Sequence, residues 1–348
     1  MRRPIIGATV GAVTAGTLFL AGCSSSSSSP SASGSSSSGS ASAPVTLRLG
    51  LLANITHAPA LVGIQKGFFT KDLGSNKLTT TVYNSGTQET TAILAGQLDA
   101  AYVGPNPAIN AFQKSGGTAI KIISGAATGG ASVVVKPSIT SAAGLKGNTV
   151  DTPSLGNTQD VAVRYWLKQN GLATTTTGGG DVTIKPTNPN SDAVLQFQSG
   201  QIAGASEPSP YDVEMVKDGG KVLFTEPGVT TLLIVTQSFL KAHPAVVSDL
   251  LKGQIQANDY IAKDNSAAQT SANTELTALT GKGIKSSILP AAFKEITFTN
   301  DPDASSLTTD AQQAKAVGLL TSTNLSGIFD LAPLNQLLQA AGESQVKS

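Results

Sequence analysis

The stretch that most constrains this chain is Ala95-Gly96-Gln97-Leu98-Asp99-Ala100-Ala101-Tyr102-Val103-Gly104-Pro105-Asn106-Pro107. It reads as a helix end, a tight turn, a short buried strand and a polar loop. Gln88 to Ala95 holds good helix formers with apolar Ala92, Ile93 and Leu94. Gly96 stops that helix, because glycine takes the left-handed cap without steric cost. Leu98 to Val103 is short and nearly all apolar, as expected of a strand covered on both faces. Gly104-Pro105-Asn106-Pro107 cannot continue a ladder, since its prolines lack the donor, and is expected to form a loop. Open α/β sheets bind ligands at such loops, beyond the carboxyl ends of their strands.

The phrase recurs 104 residues later as Ser199-Gly200-Gln201-Ile202-Ala203-Gly204-Ala205-Ser206-Glu207-Pro208, again after a helix-like run, Asp192 to Gln198. A match rich in glycine and alanine can arise by chance. The alternative is a pair of similar α/β lobes, each presenting one polar loop to a shared cleft.

Val45 to Leu52 alternates and then turns apolar, a first strand followed by the polar loop Ala53-Asn54-Ile55-Thr56-His57. Pro59 suits the first turn of a helix running Ala60 to Lys66 and stopped at Gly67. Thr79 to Tyr83 is a second strand, and Asn84-Ser85-Gly86-Thr87 caps the helix before Gly96. This is the βαβ rhythm of a parallel sheet. Ile120 to Ser124 and Ala131 to Val135, separated by small and flexible Gly125 to Gly130, mark a first crossing between lobes. Asp151 to Thr158 is a loop feeding a helix, Gln159 to Asn170. Asn157 or Thr158 caps it, and its first-turn amides suit an anion. Val182 to Pro186 and Lys221 to Phe224 are further strands, and Thr231 to Thr236 returns to the first lobe. Beyond Ser238 the chain is mostly helical and expected to wrap that lobe.

The length of 348 residues leaves room for two domains, and there is no basic excess to suggest nucleic acid. Residues 1–22 read as a processing segment: Arg2 and Arg3, an apolar run from Ile5 to Leu20, then Leu20-Ala21-Gly22-Cys23. Without Arg2 and Arg3 the chain carries 21 basic against 22 acidic residues. Cys23 is the only cysteine, so no intrachain disulfide is possible. Its place after Leu-Ala-Gly resembles a bacterial lipobox, which implies lipid attachment at Cys23. Residues 23–43 after it are almost only Ser, Ala and Gly, a disordered tether.

From residue 45 to about 260, and in its leader, the chain resembles the solute-binding lipoproteins of ABC importers in the nitrate/sulfonate/taurine group. The residues that carry the resemblance are Leu49-Gly50 with Ala60 to Phe69, Leu94 to Pro105, and Ser141 to Val150 before Ser154–Thr158. It implies an α/β fold of two lobes, the type II periplasmic-binding-protein architecture. Each lobe is a mainly parallel sheet flanked by helices, with a two-strand hinge and the C-terminal helices on the first lobe. The lobes would be residues 45–127 plus 231–348, and residues 128–230. The ligand loops carried over are Asn54, Thr56 and His57; Ser85 and Gly86; Gly104, Pro105 and Asn106; Ser154, Gly156, Asn157 and Thr158; and Glu207. None of these is Lys or Arg, so an anion would be held by amides and hydroxyls. Glu207 stands where relatives often carry an aromatic or neutral residue, and in the cleft it would favour a zwitterion such as an aminosulfonate.

The resemblance further implies a monomer held by lipid on the extracytoplasmic face of the cell membrane. It would deliver an aliphatic sulfonate or taurine to a permease and ATPase. Nitrate, another small nitrogen compound, a thiamine precursor, or a sensor without a permease are the alternatives. No cofactor and no metal are expected: two distant histidines and one lipid-bound cysteine cannot build a zinc site. No phosphate loop with lysine and no nucleophile elbow point to an enzyme. Plainer roles stand beside several candidates. His57 can simply cap the helix at Pro59, Asn106 and Asn157 can be turn formers, and Glu207 can be a solvated loop residue. Tyr102, Tyr165 and Trp166 fit packing better than ligand contact.

Overall fold

The computed structural model describes residues 43–348; the leader, Cys23 and the serine-rich segment up to residue 42 lie outside the described residues. The chain opens with β1 (Thr46–Leu52), a 3-10 turn (Ile55–His57), α1 (Ala58–Gln65), α2 (Phe68–Leu73), β2 (Lys77–Tyr83), α3 (Gly86–Leu94), β3 (Ala100–Val103), α4 (Pro105–Lys114) and β4 (Ile120–Gly129). It continues through β5 (Ala131–Val135), β6 (Thr149–Thr152), α5 (Thr158–Gln169), β7 (Thr183–Pro186), α6 (Asn190–Gln198), β8 (Gly204–Pro208), α7 (Tyr211–Lys217) and β9 (Lys221–Thr225). Then come β10 (Val229–Thr236), α8 (Gln237–Ala242), α9 (Pro244–Lys263), α10 (Asn265–Thr280), α11 (Leu289–Lys294), β11 (Ile296–Phe298), α12 (Ala304–Ala316) and α13 (Ala332–Ala341).

These strands build a six-stranded sheet, β11-β4-β10-β3-β1-β2, and a five-stranded sheet, β7-β6-β8-β5-β9. Both are mixed. The βαβ units supply the parallel pairs, β1 with β2 and β3, and β6 with β7 and β8. The strands that change sheets, β5 and β10, run antiparallel to their neighbours. The chain passes between sheets at Gly130 and again at residues 226–228. Among the described residues no helix is long and apolar enough to cross a membrane.

The repeated phrase occupies equivalent places in the two sheets. Gly96 and Gly200 are both left-handed, at φ 70° and 77°. The amides of Gln97 and Gln201 reach back to Ala92 and Gln196 at 2.9 Å each, and those of Asp99 and Ala203 to Arg48 and Thr149 at 2.9 Å each. β3 and β8 each pair parallel with the strand that opens their unit and antiparallel with a crossing strand.

Alternation in β5 shows how the second core forms. Val133 and Val135 pack toward Val163 and Leu167 of α5, while Val134 packs on the other face with Phe197 and Met215. In the first sheet Leu47, Leu49 and Leu51 bury against Phe69 and the α9 residues Leu250 and Leu251. Ile234 and Ile122 on the opposite face meet Ile109, Phe112 and Leu307.

Three expectations are corrected. Gly104–Pro107 is no loop: Gly104 caps α4, and Pro105 and Pro107 lie in its first turn. The amides they lack would have had no acceptor there in any case. Gly125 to Gly129 continues β4 rather than forming a flexible link. Glycine is needed at 125 because a Cβ would lie 2.1 Å from the Asp301 carbonyl oxygen, and the Gly125 amide bonds Asn300 O at 2.8 Å. The C-terminal region also reaches past the first sheet, since α12 packs on α5 as well as α4.

The second half buries charge. Asp160 accepts from Arg164 Nε at 2.9 Å, the Gly156 amide at 2.8 Å and Thr152 Oγ1 at 3.2 Å. Arg164, 1% exposed, also donates to Thr175 O at 2.7 Å. Asp151, Asp212 and Glu226 have no such bonded cation. Burial pushes Asp151 and Glu226 up to about 7 and Asp212 up to about 6.

Arg164→Leu strands Asp160 as an uncompensated buried charge and is expected to destabilise the fold by about 3–5 kcal/mol in urea unfolding; a loss below about 1 kcal/mol would contradict the pairing. The raised carboxyls give a second expectation. They ionise near 4 in the unfolded chain but only at pH 6–7 or above in the fold, so folding retains protons and stability declines as pH rises through that window. His57, held down to about 3 by burial, acts in the opposite sense, but only below its ordinary value of about 6.5. The thermal midpoint therefore falls between pH 6.5 and 8.5, and a flat or rising profile would refute the assignment.

Candidate functional site

A polar cleft lies where the carboxyl ends of the two sheets face each other. Nearly every residue on it follows a strand end. Asn54, Thr56 and His57 come after β1; Tyr83, Asn84, Ser85 and Gly86 end and follow β2; Gly104 and Pro107 come after β3. From the other sheet, Pro153, Asn157, Thr158 and Gln159 follow β6, Pro189 and Asn190 follow β7, and Pro208 and Tyr211 close β8. Thr230 on β10 lines it as well. The free volume is about 50 Å³, several times what one ordered water needs and suited to a small solute.

Helix starts converge on this space. Asn54 caps the 3-10 turn by accepting from the Thr56 amide at 3.0 Å, and Ser85 caps α3 through Gln88 N at 3.4 Å. Gly104 caps α4 without a side chain, and Asn157 caps α5 through Asp160 N at 2.9 Å. First-turn amides have no intrahelical acceptor and carry the positive end of the helix dipole, so the cleft favours negative charge. No Asp, Glu, Lys or Arg lines it. His57 is neutral, since burial holds it down to about 3. Its Nδ1 accepts from the Leu52 amide at 3.2 Å, which leaves the ring hydrogen on Nε2 as a donor. Thr158 Oγ1 is buried without a partner. It presses on Gly104, where a Cβ would lie 2.5 Å from that oxygen.

Three bonds join the halves around the cleft. Thr87 Oγ1 meets Ser154 Oγ at 3.0 Å, Tyr211 Oη donates to Ala53 O at 2.9 Å, and the Ile55 amide donates to Ser209 O at 2.9 Å. Burial, then the nearby Glu207, raises the Tyr211 phenol above its ordinary value and keeps it a donor.

Of the residues singled out from the sequence, Asn54, Thr56, His57, Ser85, Gly86, Gly104, Asn157 and Thr158 come together on the cleft. Ser154 stands at the rim, bonded to Thr87. Pro105 and Asn106 lie behind Gly104, where Asn106 Nδ2 donates to Asp310 O at 3.2 Å. The Gly156 amide is turned to Asp160. Glu207 belongs to β8 rather than to a loop. Its carboxyl is fully buried and without a hydrogen-bond partner, raised first by that burial and then by the nearby Asp151. It therefore gives no reason to prefer a zwitterion. The repeat held the clue: in register, Glu207 matches strand residue Val103, and Pro208 matches Gly104.

Gln159, Tyr83, Asn84, Tyr211 and Thr230 reach the cleft without having been singled out. Gln159 and Asn84 adjoin residues that were. Tyr211 and Thr230 carry no local signal, being brought in by the packing of the two sheets.

A family model described as the NMT1-like family matches residues 40–275. No curated protein matches the chain. The alkanesulfonate-binding protein SsuA from Xanthomonas axonopodis pv. citri, solved with MOPS, superposes with a TM-score of 0.69 at 17% identity, covering 83% of this chain and 99% of that one. The periplasmic nitrate-binding protein NrtA from Synechocystis PCC 6803 gives 0.70 at 15% identity, covering 85% and 89%. The ligand-binding component of an ABC-type import system from Staphylococcus aureus, solved with zinc, gives 0.68 at 15% identity, covering 83% and 97%. All three are binding proteins by name, the third as the ligand-binding component of an import system. The chain belongs to the NMT1-like family and has the fold of the periplasmic solute-binding proteins.

Proposed function

We propose that this protein is the extracytoplasmic solute-binding component of an ABC importer and that its cleft captures a small anion of the sulfonate class. The observation that carries this reading is the convergence of helix starts on a cleft without charged side chains. An anion there is held by first-turn amides of α3 and α5, the Thr158 hydroxyl and the Nε2 hydrogen of neutral His57; α4, which starts Pro-Asn-Pro, adds its dipole but few amides. Such oriented neutral donors hold a charge in a buried site without a counter-ion. The relatives named above bind alkanesulfonate, nitrate or zinc, so the class of ligand rests on this cleft's own chemistry. Among the described residues no group of three or more His, Cys, Asp and Glu comes together as a metal site would require.

In this reading residues 45–127 with 231–348 form one lobe and residues 128–230 the other, and they close by bending where the chain changes sheets. The Thr87–Ser154 and Tyr211–Ala53 bonds are contacts of the closed form. Lipid on Cys23 tethers the body to the outer face of the cell membrane, where a permease and ATPase receive the solute.

Titration calorimetry with taurine, ethanesulfonate, MOPS and nitrate tests the reading: at least one sulfonate binds, and an uncharged sulfone of the same size does not. Preference for the uncharged compound would overturn it. Gly104→Ala forces the Thr158 side chain out of place, and overpacking of this kind typically costs 1–3 kcal/mol. Affinity for the bound anion should fall by about tenfold or more; unchanged affinity would mean that the Gly104–Thr158 contact does not shape the site.

A further inference from the structure

Behind the neutral cleft lies a layer of buried carboxyls, and one of them is wired to it. Glu226 opens the segment by which the chain returns from the second sheet to the first. Its amide donates to Ala131 O at 3.0 Å, next to the outward crossing at Gly130. Its side chain is buried, accepting from Ser206 Oγ at 2.6 Å and from Gln159 Nε2 at 3.5 Å. Gln159 lines the cleft, and its Oε1 accepts from Asn157 Nδ2 at 2.9 Å. Asn157 is the cap of α5. A hydrogen-bonded path thus runs from the α5 start, through Gln159, to the point where the sheets are joined.

The ionisable groups that act on Glu226 or feel it are all acids. They are Glu207 on β8, Asp212 on α7 and Asp310 on α12. Arg164, the buried cation of this half, is committed to Asp160 and Thr175. Burial first, then Asp212, pushes the Glu226 carboxyl up to about 7, against the hydrogen bonds of Ser206 and Gln159. His57 does not titrate in this range.

We propose that Glu226 is a positioning residue for the cleft, taking up from solvent, on average, about half a proton when an anion binds. Ionised, Glu226 draws the Gln159 amide toward itself and opposes a second negative charge. Protonated, it relaxes that hold and leaves the amide to the ligand. A bound anion disfavours the carboxylate, and by reciprocity protonation tightens anion binding. The inference rests on the anion reading of the cleft.

The test is titration calorimetry of the intact chain with ethanesulfonate and nitrate, whose charge stays fixed between pH 6 and 8.5, over that range in buffers of different ionisation enthalpy. A rise of about one unit in the carboxyl's value on binding weakens affinity by about tenfold across that range, with net proton uptake near pH 7.5. Glu226→Gln should bind at pH 8.5 about as tightly as at pH 6, without proton uptake. Asp212→Asn, which removes a neighbouring acid not bonded to Gln159, should keep the uptake. Anions that bind without uptake by the native protein overturn the inference and leave the anion reading standing; this count needs no variant. Uptake persisting in folded Glu226→Gln, or lost equally in Asp212→Asn, overturns it as well. If no anion of the set binds at any pH, the anion reading and this inference fall together.

Discussion

The molecule depends on a set of backbone bonds where the chain changes sheets. The Gly129 amide donates to Gly228 O at 2.9 Å, the Glu226 amide to Ala131 O at 3.0 Å, and the Ser209 amide to Gly130 O at 2.8 Å. They hold the outgoing and returning segments side by side. Each sheet is stiffened by a packed core of its own, whereas the link between them is two lengths of single chain. Close-packed interiors resist deformation, so closure of the kind proposed above would bend the chain at these segments. The same bonds aim the carboxyl ends of the two sheets at each other and so create the cleft.

The cleft resolves an electrostatic difficulty in a particular way. It attracts negative charge through helix starts and neutral donors, with no lysine or arginine to neutralise what it holds. Immediately behind it the second half buries Asp151, Glu207, Asp212 and Glu226. Were all of these ionised, their field would oppose the helix dipoles. Burial instead raises each of them, so much of that charge is absent near neutral pH. The field at the cleft is therefore set jointly by backbone geometry and by the proton occupancy of the layer beneath.

At 15–17% identity, what is common to this chain and the solved relatives named here is the backbone frame. Helix starts come with that frame, because they follow strand ends in every βαβ unit. Side chains such as Gln159, Tyr211 and Thr158 do not come with it. Selectivity among small solutes is therefore a matter for these residues and not for the fold.

The sequence alone determined the βαβ rhythm of the opening unit, the two glycine stops at Gly67 and Gly96, and the duplicated phrase. Those features are local: side-chain periodicity, capping residues and the φ freedom of glycine act over one or two turns of chain. Tertiary structure alone decided that Pro105 and Pro107 start a helix, and that Gly125 stays in a strand to admit the Asp301 carbonyl. It also placed α12 across both halves. Glu207 shows the reason most clearly. Neighbouring strand residues point to opposite faces, so one position separates Pro208, at the cleft, from a carboxyl buried beneath it. Only the pairing of β8 with β5 and β6 fixes which is which, and Tyr211 and Thr230 reach the cleft through the same long-range packing.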